Sequence, residues 1–267
     1  MKFTSCYFKC SRIQYPIPIA TVPSGWQFGT NIQSSMISIK EIKDSLLHLW
    51  FPHTCAGCGS DVLNEQSSIC MHCLSDLPDT GFHLRGENPV EKIFWGRLPL
   101  YSATAGYYFT KESLIQQLIH QFKYKGDKVL GLQLGRLLGK YLMQSGRFNA
   151  DALVPLPLFP AKERKRGYNQ ATVLCEGISE IMQLPVWDNV VTRPQPTATQ
   201  TKKGRVERWN NVEGKFLLQN ETVLKDKHVI LVDDVITTGA TLEACGSALL
   251  KAHNVKLSVA TLCVASY

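Results

Sequence analysis

The sequence predicts an α/β fold, a parallel sheet flanked by helices, preceded by a small cysteine-rich module. Two observations carry this prediction. Short apolar runs typical of buried strands alternate with segments whose apolar residues recur at helical spacing. Ahead of these segments lie two C-x-x-C pairs, at residues 55–58 and 70–73. The 267 residues suffice for one such domain and a smaller module.

Charge and cysteine content limit the class of protein. The formal net charge of +7 favours anionic partners such as phosphorylated metabolites, nucleotides or nucleic acid, with a merely basic surface as the alternative. No apolar run reaches the length of a membrane span, so we expect no membrane partner. The nine cysteines are an odd number and follow no secretory signal, which indicates a reducing, cytoplasmic location.

The start of the chain is predicted to lie outside the folded part. Residues 1–35 show no periodic pattern, and we interpret them as disordered or as a mis-called extension upstream of a natural start at Met36. From Met36 onward, apolar side chains at helical spacing predict a short helix that leads into the cysteine pairs. The predicted boundaries are 36–80 for this helix and the cysteine module, 81–100 for a linker, and 101–267 for the α/β domain.

The two cysteine pairs form a candidate zinc site. Two C-x-x-C knuckles at this spacing offer four thiolates to a tetrahedral Zn²⁺. A site made only of thiolates is closed, which indicates a structural metal rather than a catalytic one. Two disulfides, or thiols without a ligand, are the alternative interpretation. The predicted ligands are Cys55, Cys58, Cys70 and Cys73.

Strands and helices are predicted in alternation from residue 101 onward. The predicted strands lie at 101–109, 152–158, 190–191, 212–218, 229–232 and 255–264. The predicted helices lie at 111–122, 129–143, 171–181 and 242–249. Parallel sheets of this kind bind ligands at the carboxyl ends of their strands, so we expect the site there.

The stretch from His228 to Thr241, HVILVDDVITTGAT, predicts the centre of the site. A buried strand ends in two carboxylates, and a small, hydroxyl-rich turn then leads into a helix. Backbone N–H groups at the start of a helix hold a phosphate, and the carboxylates of Asp233 and Asp234 can accept hydrogen bonds from sugar hydroxyls. The stretch therefore predicts a phosphate site beside a diol site.

Two basic segments are expected around the same crevice. Four cations at the end of the 152–158 strand suit a pyrophosphate, with a solvated charged face as the alternative. The segment 193–211 is long, polar and basic, which indicates either a lid or a disordered loop. Together these parts predict a sugar that carries phosphate at one end and pyrophosphate at the other. The four cations are Lys162, Arg164, Lys165 and Arg166.

HVILVDDVITTGAT resembles the phosphoribosyl pyrophosphate (PRPP) motif of type I phosphoribosyltransferases, and the wider chain resembles the ComF family of competence-associated proteins. The resemblance covers roughly residues 40–265. It departs from the family where Lys202, Lys203 and Gly204 stand in a region that usually carries an apolar leucine. The other matching pieces are CAGCG with CMHC, FKYKGD, VPLPL with RKRGYNQ, and a run with Thr199, Gln200, Arg208, Asn211 and Val212.

The resemblance implies a type I phosphoribosyltransferase-like domain behind a four-cysteine zinc module. It implies a glycosyltransferase that moves a phosphoribosyl group from Mg²⁺-bound PRPP to an unidentified acceptor, linked to DNA uptake. Asp233 and Asp234 would be the catalytic pair that binds the ribose hydroxyls. The other implied residues are Thr237, Thr238, Gly239, Ala240 and Thr241 for the 5′-phosphate, Lys162, Arg164 and Arg166 for pyrophosphate, and Gln200, Arg205 and Arg208 for the lid.

A binding protein is the alternative to an enzyme. The same fold could sense PRPP or a nucleotide without catalysis, or could handle single-stranded DNA in natural transformation. The positive charge and the basic clusters favour DNA handling, whereas the acidic pair and the basic lid favour an enzyme. By family resemblance, the zinc module would dock to a helicase-like component of the uptake machinery.

Overall fold

A computed structural model describes residues 54–61, 67–194 and 216–265. A four-stranded sheet organises this part of the chain, with strand order β1-β6-β5-β2 and all neighbours parallel. Strands β3 and β4 form a separate antiparallel pair. The parallel sheet predicted from the sequence is thereby confirmed. The strands are β1 (Ser102–Phe109), β2 (Ala152–Pro155), β3 (Val191–Thr192), β4 (Leu217–Leu218), β5 (His228–Ile236) and β6 (Lys256–Ala265).

Strand β2 is shorter than the predicted strand at 152–158. It pairs with β5 from Ala152 to Pro155, and the Leu156 N–H still donates to the Val232 carbonyl at 2.9 Å. Pro157 has no N–H to continue such a ladder. The chain therefore leaves the sheet early, and residues 156–158 form an irregular segment at the carboxyl end of the strand.

Eight α-helices and one 3₁₀ turn (Phe82–Leu84) lie within the described ranges. Helix α3 starts later than predicted because Ser113 caps it, its hydroxyl accepting from the Gln116 N–H at 3.3 Å. Asp127 caps α4 in the same way, at 2.9 Å from the Leu130 N–H. The helices are α1 (Met71–Ser75), α2 (Pro89–Ile93), α3 (Leu114–Tyr124), α4 (Lys128–Ser145), α5 (Pro160–Arg166), α6 (Gln170–Met182), α7 (Glu221–Leu224) and α8 (Ala240–Leu249).

Strand β5 is covered on both faces. Val229 and Leu231 belong to a core that includes Leu242 and Leu249 of α8. The alternate side chains, Ile230 and Val232, face a second core built mainly by α3, α4 and α6. Successive side chains of a strand point to opposite faces, so a continuous apolar run predicts this double burial. No helix in the described ranges is both long enough and apolar enough to cross a membrane.

Helices α4 and α6 pack so closely that glycines are required between them. A Cβ atom on Gly135 would lie 2.5 Å from the Leu174 carbonyl oxygen. A Cβ atom on Gly177 would lie 2.3 Å from the Leu132 carbonyl oxygen. Both contacts are with backbone, which cannot rotate away, so neither helix tolerates a side chain at these points.

Residues 81–100, predicted as a linker, contribute side chains to the core on the α8 side of the sheet. Phe82, Val90, Phe94 and Leu98 are all buried there. Within this segment, buried apolar residues alternate with the turn residues on which the linker prediction rests. The domain boundaries remain predictions, and those within 1–53 concern residues outside the described ranges.

Candidate functional site

The predicted phosphate loop follows β5 directly. Thr237, Thr238 and Gly239 connect the strand to α8, whose first residue is Ala240. Gly239 has a φ of 74°, a left-handed conformation that residues with a side chain rarely adopt. Residues 235–242 and Asp233 line a cavity of about 50 Å³ at the positive end of this helix. The five residues predicted for a phosphate are thus together on one small cavity.

Arg97 supports this loop from behind. Its guanidinium donates to the Thr238 carbonyl at 3.0 Å and to the Ile93 carbonyl at 3.0 Å. The same side chain forms an ion pair with Glu243 in the first turn of α8. A Cβ atom on Gly239 would lie 2.8 Å from Ile93 Cγ2, so the supporting segment also fixes the loop sterically.

The two carboxylates occupy adjacent positions in β5, and both residues are half-buried. Asp233 accepts a hydrogen bond from the Asp234 N–H at 2.8 Å, and Lys123 Nζ lies 2.6 Å from Asp234 Oδ2. Burial, together with the negative charge of Asp234, raises the pKa of Asp233 to about 8. Lys123 and Arg193 act in the opposite direction on that pKa without cancelling the rise.

A second cavity of about 170 Å³ adjoins the phosphate loop. Asp233 and Thr241 line both cavities, so the two form one continuous crevice at the carboxyl ends of the strands. This is where the sequence places a ligand site in a parallel sheet. The other residues around the second cavity are Leu156, Pro157, Leu158, Arg166, Asn169, Gln170, Ala171, Arg193 and Asp234.

The three predicted pyrophosphate residues separate in the structure. Arg166 lines the second cavity, whereas Lys162 and Arg164 are exposed and are not among its lining residues. The difference arises because the cationic segment forms a short helix, α5, with no buried residue. A run of cations after a strand predicts one group at the strand end, whereas a helix divides these side chains among several directions.

The residues in or beside the crevice that were not in the predicted set include Arg193, Lys123 and Asn169. Arg193 lines the second cavity, and Lys123 supplies the counter-charge of Asp234. Asn169 caps α6 and donates to the Leu156 carbonyl at 3.0 Å, which ties the turn after β2 to that helix. Lys123 is the first lysine of the FKYKGD motif, and Arg193 is the first residue of the basic segment 193–211. Both therefore lie in stretches whose positive charge is evident from the sequence. The predicted lid residues Gln200, Arg205 and Arg208 lie outside the described residues.

The four predicted zinc ligands come together. Their sulfur atoms all lie within 4.8 Å of one another, and the sulfurs of Cys58 and Cys70 are 3.7 Å apart. A tetrahedral zinc with bonds of about 2.3 Å separates its sulfurs by about 3.8 Å. The cluster formed by Cys55, Cys58, Cys70 and Cys73 therefore fits a metal ion such as zinc.

The backbone of the knuckles favours a thiolate. Burial opposes ionisation of Cys55, but N–H groups of the knuckles, including those of Cys70 and Gly57, interact with its sulfur and lower its pKa to about 6. The donor nitrogens lie 3.2 Å and 3.4 Å from Cys55 Sγ. A thiolate is the form in which cysteine binds a metal, so this environment suits a ligand.

The cysteine module is attached to the α/β domain through glutamines. Gln117 Nε2 of α3 donates to the Gly57 carbonyl at 3.1 Å, and Gln121 Nε2 donates to the Ala56 carbonyl at 2.5 Å. From α4, Gln133 Oε1 accepts from the Ser68 N–H at 3.0 Å. Helix α3 thus contacts the knuckles near its start and carries Lys123, the partner of Asp234, in its last turn.

Comparison with known proteins agrees with this architecture. The family described as phosphoribosyl transferase domain matches residues 165–266. The chain is 30% identical over 210 residues to competence protein F of Haemophilus influenzae, covering 77% of this chain and 87% of that protein. It is 30% identical over 215 residues to DNA utilization protein YhgH of Escherichia coli K12, covering 78% and 89%. It is 27% identical over 146 residues to competence protein ComFC of Bacillus subtilis, covering 54% and 56%. The chain therefore belongs to the ComF family, in which its four-cysteine cluster precedes a phosphoribosyltransferase-like α/β domain.

Proposed function

We propose that this protein binds Mg²⁺-bound PRPP and transfers its phosphoribosyl group to an acceptor. The observation that carries the proposal is the continuity of the crevice: Asp233 and Thr241 line both the phosphate-loop cavity and the larger cavity beside it. A phosphate site and a cationic site therefore flank a pair of carboxylates. PRPP has the matching order of groups, with a ribose between a phosphate and a pyrophosphate.

In this proposal each part of the crevice has one task. The N–H groups and hydroxyls of residues 237–241 bind the 5′-phosphate at the positive end of α8. Asp233 and Asp234 accept hydrogen bonds from the ribose hydroxyls, which orients the sugar ring. Arg166 and the amino end of α6 face the pyrophosphate. Mg²⁺ would arrive with the pyrophosphate as its counter-ion and neutralise charge on the leaving group.

The transfer breaks one bond and forms one bond at the anomeric carbon. The bond from this carbon to pyrophosphate breaks, and its electron pair leaves with the pyrophosphate. The acceptor supplies the electron pair of the new bond and releases a proton to solvent. Positive charge develops on the ribose ring between these events, and nearby carboxylates stabilise it. Asp234, held by Lys123, is the member of the pair with a fixed counter-charge in the absence of substrate.

The experiment is a pyrophosphate-release assay with Mg²⁺, PRPP and a panel of bases and amines. We expect turnover by the wild type, and a loss of roughly 100-fold or more in Asp233→Asn and Asp234→Asn. Asp188→Asn, an exposed position, is the matched control and should keep wild-type turnover. If the protein binds PRPP tightly but turns over none of the acceptors, it is a PRPP sensor and not an enzyme.

Handling of single-stranded DNA is a second candidate function. The observation that favours it is the three exposed cations of α5, Lys162, Arg164 and Lys165, which do not line the crevice. The three similar proteins reported above carry competence or DNA utilization in their names. Fluorescence anisotropy with a labelled oligonucleotide should show affinity that falls steeply with salt, and a smaller salt dependence after replacement of the three cations by glutamine. Binding that is absent at low salt would remove this candidate.

A further inference from the structure

The phosphate loop contains one peptide unit whose orientation decides which group faces the cavity. The Thr238–Gly239 peptide joins two residues that both line the cavity of about 50 Å³. In a trans peptide the carbonyl and the N–H point to opposite sides, and every peptide bond in the described ranges is trans. Only one of the two groups can therefore face a bound phosphate. An N–H attracts the phosphate oxygens, whereas a carbonyl oxygen repels them.

Glycine at position 239 leaves both orientations of this peptide open. Rotation of the peptide unit changes ψ of Thr238 and φ of Gly239. Gly239 has a φ of 74°, and glycine adopts positive and negative values of φ about equally readily. The backbone of the loop alone therefore does not select the orientation that a phosphate needs, and a contact from outside the loop has to select it.

Arg97 makes that contact. Its Nη1 donates to the Thr238 carbonyl at 3.0 Å and to the Ile93 carbonyl at 3.0 Å, and its Nη2 pairs with Glu243. Arg97 does not line the cavity, so the carbonyl that it holds is turned away from the cavity. The Gly239 N–H, on the opposite side of the same peptide, is thereby directed towards the cavity. A cation bound to the carbonyl also polarises the peptide, which makes this N–H a stronger donor.

The segment that carries Arg97 is itself fixed to the sheet and to α8. Asn88 caps α2, and its Nδ2 donates to the Ala103 carbonyl of β1 at 2.8 Å. Phe94 and Leu98, on either side of Arg97, are buried in the core that includes residues of α8. Arg97 therefore acts on the loop from a firmly packed support.

We propose that Arg97 is a positioning residue of the phosphate loop, which keeps the Gly239 N–H directed at the 5′-phosphate. The inference rests on the proposed function, which it extends to a residue outside the crevice. Arg97 acts through the Thr238 carbonyl and touches no substrate group. A guanidinium suits this task because its planar fork donates in two directions at once, to the carbonyls and to Glu243.

Two measurements on Arg97→Gln test the inference. By calorimetry, we expect affinity for ribose 5-phosphate to fall roughly tenfold or more, because only part of the population then has the N–H facing the phosphate. Affinity for Mg²⁺-pyrophosphate, proposed for the other cavity, should change by less than about twofold. Without ligand, NMR relaxation dispersion should detect conformational exchange of the Gly239 amide in the variant but not in the wild type.

Three further variants make the result specific. Arg97→Lys keeps the charge but loses the fork, so it should lie between Arg97→Gln and wild type, and it serves for both measurements if Arg97→Gln does not fold. Glu243→Gln removes the ion pair but leaves both carbonyl acceptors of Arg97, so it should weaken ribose 5-phosphate binding less than Arg97→Gln does. Arg136→Gln is the matched control, because Arg136 also forms an ion pair, with Glu180, and is 39% exposed against 37% for Arg97. This control should leave both affinities and the Gly239 amide unchanged, and thermal melting shows whether each variant retains the fold.

The outcomes separate this inference from the proposed function. If both measurements change as expected but the wild type turns over no acceptor, the positioning role stands and the proposed transfer fails. If the wild type turns over PRPP while Arg97→Gln and Arg97→Lys keep its affinity for ribose 5-phosphate, the positioning role alone is overturned. Failure of the wild type to bind ribose 5-phosphate overturns both.

Two other results would count against the positioning role. Equal weakening of ribose 5-phosphate and Mg²⁺-pyrophosphate in Arg97→Gln would show that lost charge or lost stability explains the binding. A Gly239 amide without conformational exchange in that variant would show that the loop keeps its orientation without Arg97.

Discussion

Lys123 Nζ lies 2.6 Å from the Asp234 carboxylate, so the last turn of α3 supplies the counter-charge of the acidic pair. Both side chains are largely shielded from water, with 21% and 13% of their surfaces exposed. Two neighbouring carboxylates repel each other in such a place, and a fixed ammonium offsets part of that repulsion. The cation comes from an element more than a hundred residues earlier in the chain.

Replacement of Lys123 by glutamine should weaken ligand binding and stability together. Lys123 lowers the pKa of Asp233, so without the ammonium Asp233 holds its proton more tightly and ribose 5-phosphate binding to its ionised form should require a higher pH. We expect the free energy of unfolding to fall by about 1–2 kcal/mol at pH 7. Lys125→Gln, at the exposed end of the same helix, is the matched control. Calorimetry from pH 6 to 9 and urea titration measure the two effects, and a pH profile identical to that of wild type would contradict the first.

Asp233→Asn should make the protein more stable while removing its activity. The folded pKa of Asp233, about 8, is above its ordinary value of 3.8, so the folded state holds a proton that the unfolded state releases. This carboxyl group therefore leaves the free energy of unfolding unchanged below pH 3.8. It lowers that free energy increasingly as the pH rises from 3.8 towards 8. Urea titration should show a gain of roughly 0.5–2 kcal/mol at pH 8 and a smaller gain at pH 5. A variant that is less stable than wild type at pH 8 would show that the carboxylate stabilises the fold.

His228 should make the fold sensitive to acid. Burial lowers its pKa below 6.5, although the nearby Asn149 carbonyl favours the charged ring. Nδ1 lies 2.6 Å from that carbonyl, and Nε2 lies 2.8 Å from the Ser258 hydroxyl, which suits a neutral ring that donates once and accepts once. A lowered folded pKa gives stability that is present above 6.5 and is lost as pH falls from 6.5 towards the folded value.

The measurement for this histidine is the melting temperature at pH 7.5 and at pH 5.5. His83, whose pKa burial also lowers, contributes a loss of the same sign, so each histidine is replaced by glutamine separately. We expect each variant to lose less stability on acidification than the wild type does. If His228→Gln keeps the full acid sensitivity, other groups carry it.

Removal of zinc should loosen the contact between the cysteine module and α3. Gln117 and Gln121 donate to carbonyls of the first knuckle, whose shape depends on the metal. We expect Cys58→Ser to lose bound zinc in native mass spectrometry and to lower the melting temperature by about 5–10 °C. Cys245→Ser, a buried cysteine outside the cluster, should keep its zinc. Full zinc content in Cys58→Ser would show that three thiolates suffice.

The sequence by itself determined the features that are contiguous or strictly spaced. The strand, acidic pair, turn and helix of 228–249 follow one another along the chain, so their local chemistry already predicts a phosphate loop beside two carboxylates. The two C-x-x-C pairs predict their own cluster because only a few geometries bring four such thiols together. The apolar run of β5 likewise predicts burial on both faces of the sheet.

Only the tertiary structure decided which charges face the crevice. Arg166 lines it while Lys162 and Arg164 do not, although all three stand in one cationic run. Lys123 and Arg193 reach the acidic pair from elements distant in sequence. A charge run has no periodic pattern that separates a solvated face from a ligand-facing one. That separation depends on how helices α3, α5 and α6 pack around the sheet, which is a property of the whole fold.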